Sequence, residues 1–307
     1  MDEIDPVLVE VVRSRFVESR HRGALAMVDA SGRTLLALGD VDAEILPRSA
    51  LKPLQALPLV TSGAADEFAL GDRHLAVAMG SHTGRPEHRA AVRELLHAAG
   101  VPEAALACGT QPGRDEPLGT NCSGKHAAFL AVARRIGVST DGYLATDHPV
   151  QLAVRSAIEG CCGTTCGEAA IDGCSAPAWR IPLRALASAY ARFAADTGPA
   201  ARLFDAGIAE PWALAGDDTF VTSLTRASGG RALVKSGAEG VLAAAVRTPG
   251  IGIAVKIADG ATRAAEVALA TVLGRVLPGL DVGPFARPPI LRFTGDVVGV
   301  VRPSLLL

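Results

Sequence analysis

The segment Pro47-Arg48-Ser49-Ala50-Leu51-Lys52-Pro53 sets a serine hydroxyl and a lysine amine three residues apart. One helical turn brings such a pair onto one face, where the two groups can hydrogen-bond. Serine is a weak nucleophile until a base takes its proton, and a desolvated lysine amine can be that base. With 15 Ser and 4 Lys in the chain, chance supplies roughly 0.2 such pairs. The scarcity of lysine is the sharper signal. Of 30 basic residues, 26 are Arg, and only Lys52, Lys125, Lys235 and Lys256 are Lys. Positions that need only positive charge are filled by Arg. Lysine is then expected where a small amine that can lose its proton is required.

Each lysine stands in a motif-like setting: Ser49-x-x-Lys52, Cys122-Ser123-Gly124-Lys125, Lys235-Ser236-Gly237 and Lys256-Ile257-Ala258-Asp259-Gly260. The single Asn of the chain, Asn121, directly precedes Cys122. A thiol there, near a helix start and a cation, has its pKa lowered and can be a nucleophile or a metal ligand. Asp172-Gly173-Cys174 offers a carboxylate and a thiol two residues apart in a turn. Neither spacing is an established zinc motif, and buried thiols account for both equally well. Cys161, Cys162 and Cys166 form a denser cluster in an expected loop, as metal ligands, oxidisable thiols or incidental ones. Gly80-Ser81-His82-Thr83-Gly84 leaves an apolar run, a common place for chemistry, although Thr83 equally suits a helix cap. Arg48 is either a bidentate clamp for a substrate carboxylate or a surface charge.

The elements that must hold these groups are legible from periodicity. Val7 to Val17 alternates, and Ala24–Val28 and Thr34–Leu38 flank Asp29-Ala30-Ser31-Gly32, the pattern of an antiparallel meander. Leu51 to Val60 reads as a helix that Pro58 kinks or ends. Helices are expected over Pro86–Ala99, Lys125–Ile136, Pro149–Glu159, Pro182–Ala195 and Asp218–Ala227, most of them entered by Pro or left near Gly. Strands return at 232–235, 240–246 and 252–257. A helix over 261–277 follows, then strands at 290–293 and 297–301. Terminal strands thus embrace a helical middle, and one α+β domain over residues 1–307 is expected, its sheet built from both chain ends. The helical subdomain covers roughly residues 62–230 on this reading.

Composition narrows the class. A net charge of −2 and a pI near 6.4 leave no electrostatic footprint for nucleic acid or an anionic membrane. The acidic start Met1-Asp2-Glu3-Ile4-Asp5 lacks the basic and apolar regions of a signal peptide. No run of about 18 apolar residues occurs, so no membrane span is expected. Together these give a cytoplasmic expectation, in which six Cys serve as thiols or ligands before disulfides.

Two families share parts of this pattern. Penicillin-recognising serine enzymes and serine glutaminases are similar in Ser-x-x-Lys, a helical middle and a late Lys-Ser-Gly, but their Ser-x-Asn element has no counterpart here. The chain more closely resembles the asparaginase II family, the rhizobial-type Ser-Lys L-asparaginases. The resemblance runs through Glu18–Gly23, Pro47–Gln55, Gly80–His82, Asn121–His126, Asp172–Pro177, Gly237–Gly240 and Lys256–Gly260. It implies a serine β-lactamase/glutaminase-like three-layer α/β/α fold, a homodimer, and hydrolysis of L-asparagine to aspartate and ammonia. It also implies two Ser-Lys pairs, Ser49 with Lys52 and Ser81 with Lys256. Zinc would be held by Cys122, Lys125 and Cys174, without the 161–166 cluster. Arg48, Asp172, Asn121 and His126 fall among substrate-binding positions, Arg48 for the α-carboxylate and Asp172 for the ammonium. Gln111 departs from the pattern, standing where a His is expected. Lys235 belongs to neither pair, so Lys235→Arg is expected to be the mildest lysine change. The rival readings are a serine glutaminase or penicillin-type hydrolase, and a non-catalytic thiol-rich metal-binding protein.

Overall fold

The computed structural model describes residues 5–307; the expectation for the first residues of the chain therefore lies largely outside the described part. The strands are β1 (Val7–Arg13), β2 (Phe16–Asp29), β3 (Thr34–Leu38), β4 (Glu44–Ile45), β5 (Ala169–Ile171) and β6 (Pro177–Trp179). They continue with β7 (Ile181–Pro182), β8 (Ala232–Ser236), β9 (Val241–Val246), β10 (Ile251–Ile257), β11 (Pro289–Leu291) and β12 (Val297–Pro303). The helices begin with α1 (Lys52–Gln55), α2 (Leu57–Thr61), α3 (Ala64–Glu67), α4 (Asp72–Met79), α5 (Pro86–Ala98), α6 (Ser123–Ile136) and α7 (Pro149–Cys162). After them come α8 (Leu183–Ala195), α9 (Pro199–Ala209), α10 (Pro211–Leu214), α11 (Phe220–Ala227), α12 (Thr262–Val276) and α13 (Gly283–Ala286). The chain divides into two compact units. One comprises the chain up to Ala50, Ile181–Ala195 and Ser223–Leu307, and the other Leu51–Arg180 and Asp196–Thr222.

The first unit is an α+β body around an eight-stranded antiparallel sheet of order β11-β12-β1-β2-β10-β9-β8, with β3 on β2. Both chain ends build it, as the terminal alternation implies. β12 pairs β1 through Val11↔Val301, and β10 pairs β2 without a register shift from Ile251↔Asp29 to Ile257↔Gly23. Every residue of β9 is buried. Since neighbouring strand residues point to opposite faces, both faces of this part of the sheet must be covered. Helices α8 and α12 both pack on β9 and β10 and provide that cover. Gly252 makes the α8 contact possible: a Cβ there would meet Ala187 O at 1.9 Å and Ala191 N at 2.4 Å.

The second unit is helical apart from the β5–β6 hairpin. Helix α4 lies against α1, α5, α6, α9 and α10. Its contact with α6 is backbone-close, because a Cβ on Gly124 would stand 2.2 Å from Val77 O. The segment expected as one helix from Leu51 to Val60 is broken at Ala56, ahead of Pro58, into α1 and α2. Helix α7 runs three residues past its expected end, to a left-handed Gly163. Cys161 and Cys162 therefore end a helix rather than sitting in a loop.

Candidate active site

In the helical unit the groups of interest converge on Lys52. Its side chain is fully buried. Its Nζ lies 2.5 Å from Gly80 O, 3.0 Å from Asn121 O and 3.0 Å from Ser81 Oγ. Local structure explains each partner. Helix α4 stops at Gly80, where a Cβ would meet Ala213 O at 2.4 Å, so only glycine lets the chain leave in that direction. Ser81 N–H and Thr83 N–H then bond Leu214 O and Ala215 O, which fixes the extended 80–83 segment. Asn121 is held from the other side, where Gln111 Oε1 accepts its N–H at 3.2 Å. The glutamine at the position of an expected histidine therefore has a structural role in the loop that presents the Asn121 carbonyl. His82 is buried, with Nδ1 taking the Gly84 N–H and Nε2 3.1 Å from Ser123 Oγ, so it ties the Ser81 segment to the start of α6.

The sulfur cluster adjoins this lysine. Cys122 and Cys174, both buried, share a hydrogen bond, and Lys125 Nζ lies 3.2 Å from Cys174 Sγ. Cys174 reaches α6 from the turn between β5 and β6, where Ser175 adopts a left-handed φ of 67°. The Cys174 hydrogen bond, opposed by burial and helped by Lys52 and Lys125, holds the Cys122 thiol well below its usual range. The same hydrogen bond, together with burial, pushes Cys174 up. Burial lowers the Lys52 pKa, against the opposing pull of Cys122. At Lys125 burial is outweighed by Cys122, Cys174 and Asp172, and its pKa is raised.

These observations correct the zinc expectation at Cys122, Lys125 and Cys174. Among the described residues no group of three or more His, Cys, Asp or Glu side chains is placed to hold a metal ion. Only two sulfurs meet here, beside the Lys125 amine, and no His, Asp or Glu side chain joins them as a further donor.

Asp172 is half-buried at the start of the Cys174 turn, where its Oδ1 accepts from Gly173 N–H at 2.7 Å. His126 lies in the first turn of α6, fully buried, with Nδ1 2.6 Å from the Tyr143 hydroxyl. Burial, with the neighbouring Lys125, keeps its pKa well below the usual value.

In the sheet unit, Arg48 and Ser49 open a 3-10 turn, Arg48–Leu51, and are half-buried. Arg48 has a left-handed φ of 52°, a costly conformation for a side-chain-bearing residue and one that concentrates at functional sites. Two contacts pin this turn. Tyr190 on α8, fully buried, donates its hydroxyl to Ala50 O at 2.7 Å. Gly237, just after β8, packs so closely that a Cβ would stand 2.4 Å from Pro47 O. The Lys235-Ser236-Gly237 motif is thereby set beside the Ser49 turn, and Lys235 itself is fully buried, with Nζ on Ser236 O at 2.8 Å.

Lys256, at the end of β10, donates to Glu239 O at 2.6 Å and Ile257 O at 2.9 Å, and Glu239 too is left-handed. His21 Nδ1 and Asp259 Oδ2, 2.7 Å apart, join the Glu18–Gly23 and Lys256–Gly260 motifs. Tyr143, Tyr190 and the role of Gln111 escaped the sequence reading. The tyrosines are the only two in the chain, and that rarity was the one available signal.

Residues 9–303 match the L-asparaginase II family. Among solved structures, Mglu in its glutamate form superposes with a TM-score of 0.50 at 16% identity, over 83% of this chain and 61% of that one. Mglu in its native form gives 0.49 at 16% identity, over 89% and 69% of the two chains. A β-lactamase from Mycobacterium bovis gives 0.46 at 16%, over 83% and 95%. At such identity the superposition at 0.50 speaks to fold alone. No curated protein matches the chain. The family match spans nearly the whole sequence and includes the Ser-x-x-Lys turn, the Lys52–Ser81 contact and the Cys122–Lys125 helix start: the chain belongs to the L-asparaginase II family, and it is a hydrolase of amides.

Proposed function

We propose that the protein hydrolyses the side-chain amide of L-asparagine to aspartate and ammonia, with Lys52 as the proton carrier. The arrangement around its amine is the observation that supports this reading. Two of its three neighbours, Gly80 O and Asn121 O, are carbonyls that can only accept. In a neutral amine they take the two N–H bonds, and the lone pair is left for the Ser81 hydroxyl at 3.0 Å. Burial favours that neutral form. The Ser81 proton passes to Nζ as Oγ bonds to the carboxamide carbon. The C–N bond then breaks while Nζ returns a proton to the departing ammonia. Water then attacks the ester while Lys52 takes its proton, the C–O bond to Ser81 breaks, and Nζ returns that proton to Oγ as aspartate leaves.

Ser49, which the sequence favours as nucleophile, is the alternative carrier of the acyl group. Arg48 and Asp172 are assigned to the substrate α-carboxylate and ammonium on the family resemblance, and Lys256 to polarising the site or relaying the proton to the leaving ammonia. A homodimer belongs to the same proposal and rests on the same resemblance, and a cytoplasmic location is proposed from composition. Turnover of asparagine, glutamine and a chromogenic β-lactam by one purified preparation tests the substrate. Ammonia from asparagine in clear preference to glutamine, with no β-lactam cleavage, is the expected result. Preference for either rival substrate, or none turned over, contradicts the proposal.

A further inference from the structure

Lys52 takes its two carbonyl partners from different segments, Gly80 O from the end of α4 and Asn121 O from the stretch before α6. These segments are also joined without Lys52, through the buried ring of His82, the residue after Ser81. Gly84 N–H can only donate, so His82 Nδ1 accepts it at 3.2 Å and the ring proton lies on Nε2. Nε2–H then donates to Ser123 Oγ at 3.1 Å, and the Ser123 hydroxyl donates onward to Leu118 O at 2.8 Å. Ser123 opens α6 two residues after Asn121. A stack on His88, with centroids 4.9 Å apart and planes 11° from parallel, fixes the plane of the ring. His88 is anchored in turn, since its Nε2–H donates to Trp212 O at 2.9 Å. A buried polar side chain satisfied at both edges makes its surroundings rigid. What it would hold rigid here is the 3.0 Å contact of Ser81 Oγ with Lys52 Nζ. A displacement of about 1 Å at a reacting contact can cost on the order of 10²-fold in rate.

We infer that His82 is a positioning residue, whose Nε2–H bond to Ser123 holds the Gly80–Ser81 and Asn121 segments at the spacing that lets Lys52 meet the Ser81 hydroxyl. The inference rests on the Lys52–Ser81 chemistry proposed above, but not on which amide is cleaved.

Side-chain amides separate the two ring nitrogens. Asn offers an oxygen where Nδ1 stands and loses the Ser123 bond, whereas Gln reaches Ser123 with an N–H and loses the Gly84 bond. The test is asparagine kinetics on full-length His82→Asn, His82→Gln, Ser123→Ala and the double variant His82→Asn/Ser123→Ala, with circular dichroism for the fold. His82→Asn should lower kcat by about 10- to 100-fold and change KM less than about threefold. His82→Gln should recover most of that loss. Ser123→Ala should match His82→Asn, and the double variant should lose little beyond either, because both changes break one bond. Equal losses in His82→Asn and His82→Gln, losses that add in the double variant, or an effect confined to KM each overturn the inference. So does a fully active Ser81→Ala enzyme, which would leave the substrate reading standing. If His82→Asn fails to fold, Ser123→Ala and His82→Gln decide. If the wild type does not turn over asparagine, the rate at which a fluorophosphonate labels Ser81, mapped by mass spectrometry, replaces kcat across the same variants. The same order of rates keeps this inference while the substrate reading falls, and an unlabelled Ser81 overturns this inference as well.

Discussion

At the scale of single residues, the account turns on an amine that must be able to lose its proton. Burial holds the Lys52 pKa below the ordinary lysine value of 10.5 while Cys122 pulls it back up. If the neutral amine is the base, kcat/KM rises with pH along a limb whose midpoint lies below that value. Cys122→Ser removes a negative neighbour, and an ammonium that loses its counter-charge releases its proton more readily, so the limb should move to lower pH. A pH–rate profile of both proteins checks this, and a limb that moves upward or stays in place contradicts the assignment. Ser81→Ala and Ser49→Ala separate the two candidate nucleophiles. The acyl-carrying serine should cost about 10³-fold or more in kcat, with an unchanged circular dichroism spectrum. Lysine scarcity made these positions legible beforehand. It misled at Lys235, whose full burial beside the Ser49 turn was hidden in a strand that reads as five ordinary residues. Lys235→Arg is therefore no mild control, because a guanidinium has to be fitted into a closed space.

At the scale of elements, glycines decide how closely backbones approach and so where the side chains land. Gly124 lets α6 lie on Val77 O, and a methyl there would push apart the helices that carry Cys122, Lys125 and the Gly80 stop. Gly124→Ala should destabilise the protein by about 1–3 kcal/mol or more and lower activity with it. Denaturant unfolding alongside asparagine turnover measures both effects, and a fully stable, fully active variant refutes the packing argument. Tyr190→Phe should cost about 1 kcal/mol through loss of one buried hydrogen bond, to be read in the same unfolding assay. Turn and helix grammar found most elements, including the Pro-entered α5 and α7. It missed α4 because that helix is short and opens on Asp72-Arg73-His74, with too few turns to show a period. It also missed both tyrosine anchors, since Tyr190 and Ala50 are 140 residues apart and no local pattern links them.

At the scale of the whole molecule, the motifs that carry the family resemblance are sorted by the fold into two bodies. The sheet unit holds the Ser49 turn, Lys235 and Lys256, and the helical unit holds Lys52, Ser81, the sulfur pair and His126. The sheet from both chain ends was legible because strand alternation is strong at the termini. The metal expectation was not met, because motif spacing says which side chains are present but not how many donors the fold gathers at one point. Among the described residues no helix is long and apolar enough to cross a membrane. The most direct test of the central claim is ammonia release from L-asparagine by the wild type and by Lys52→Arg, which keeps the charge but cannot act as a base. The account predicts one ammonia per aspartate from the wild type, and a fall on the order of 10²–10⁴-fold in the folded variant. A wild type that releases no ammonia from asparagine, or a Lys52→Arg enzyme that keeps most of its activity, would contradict it.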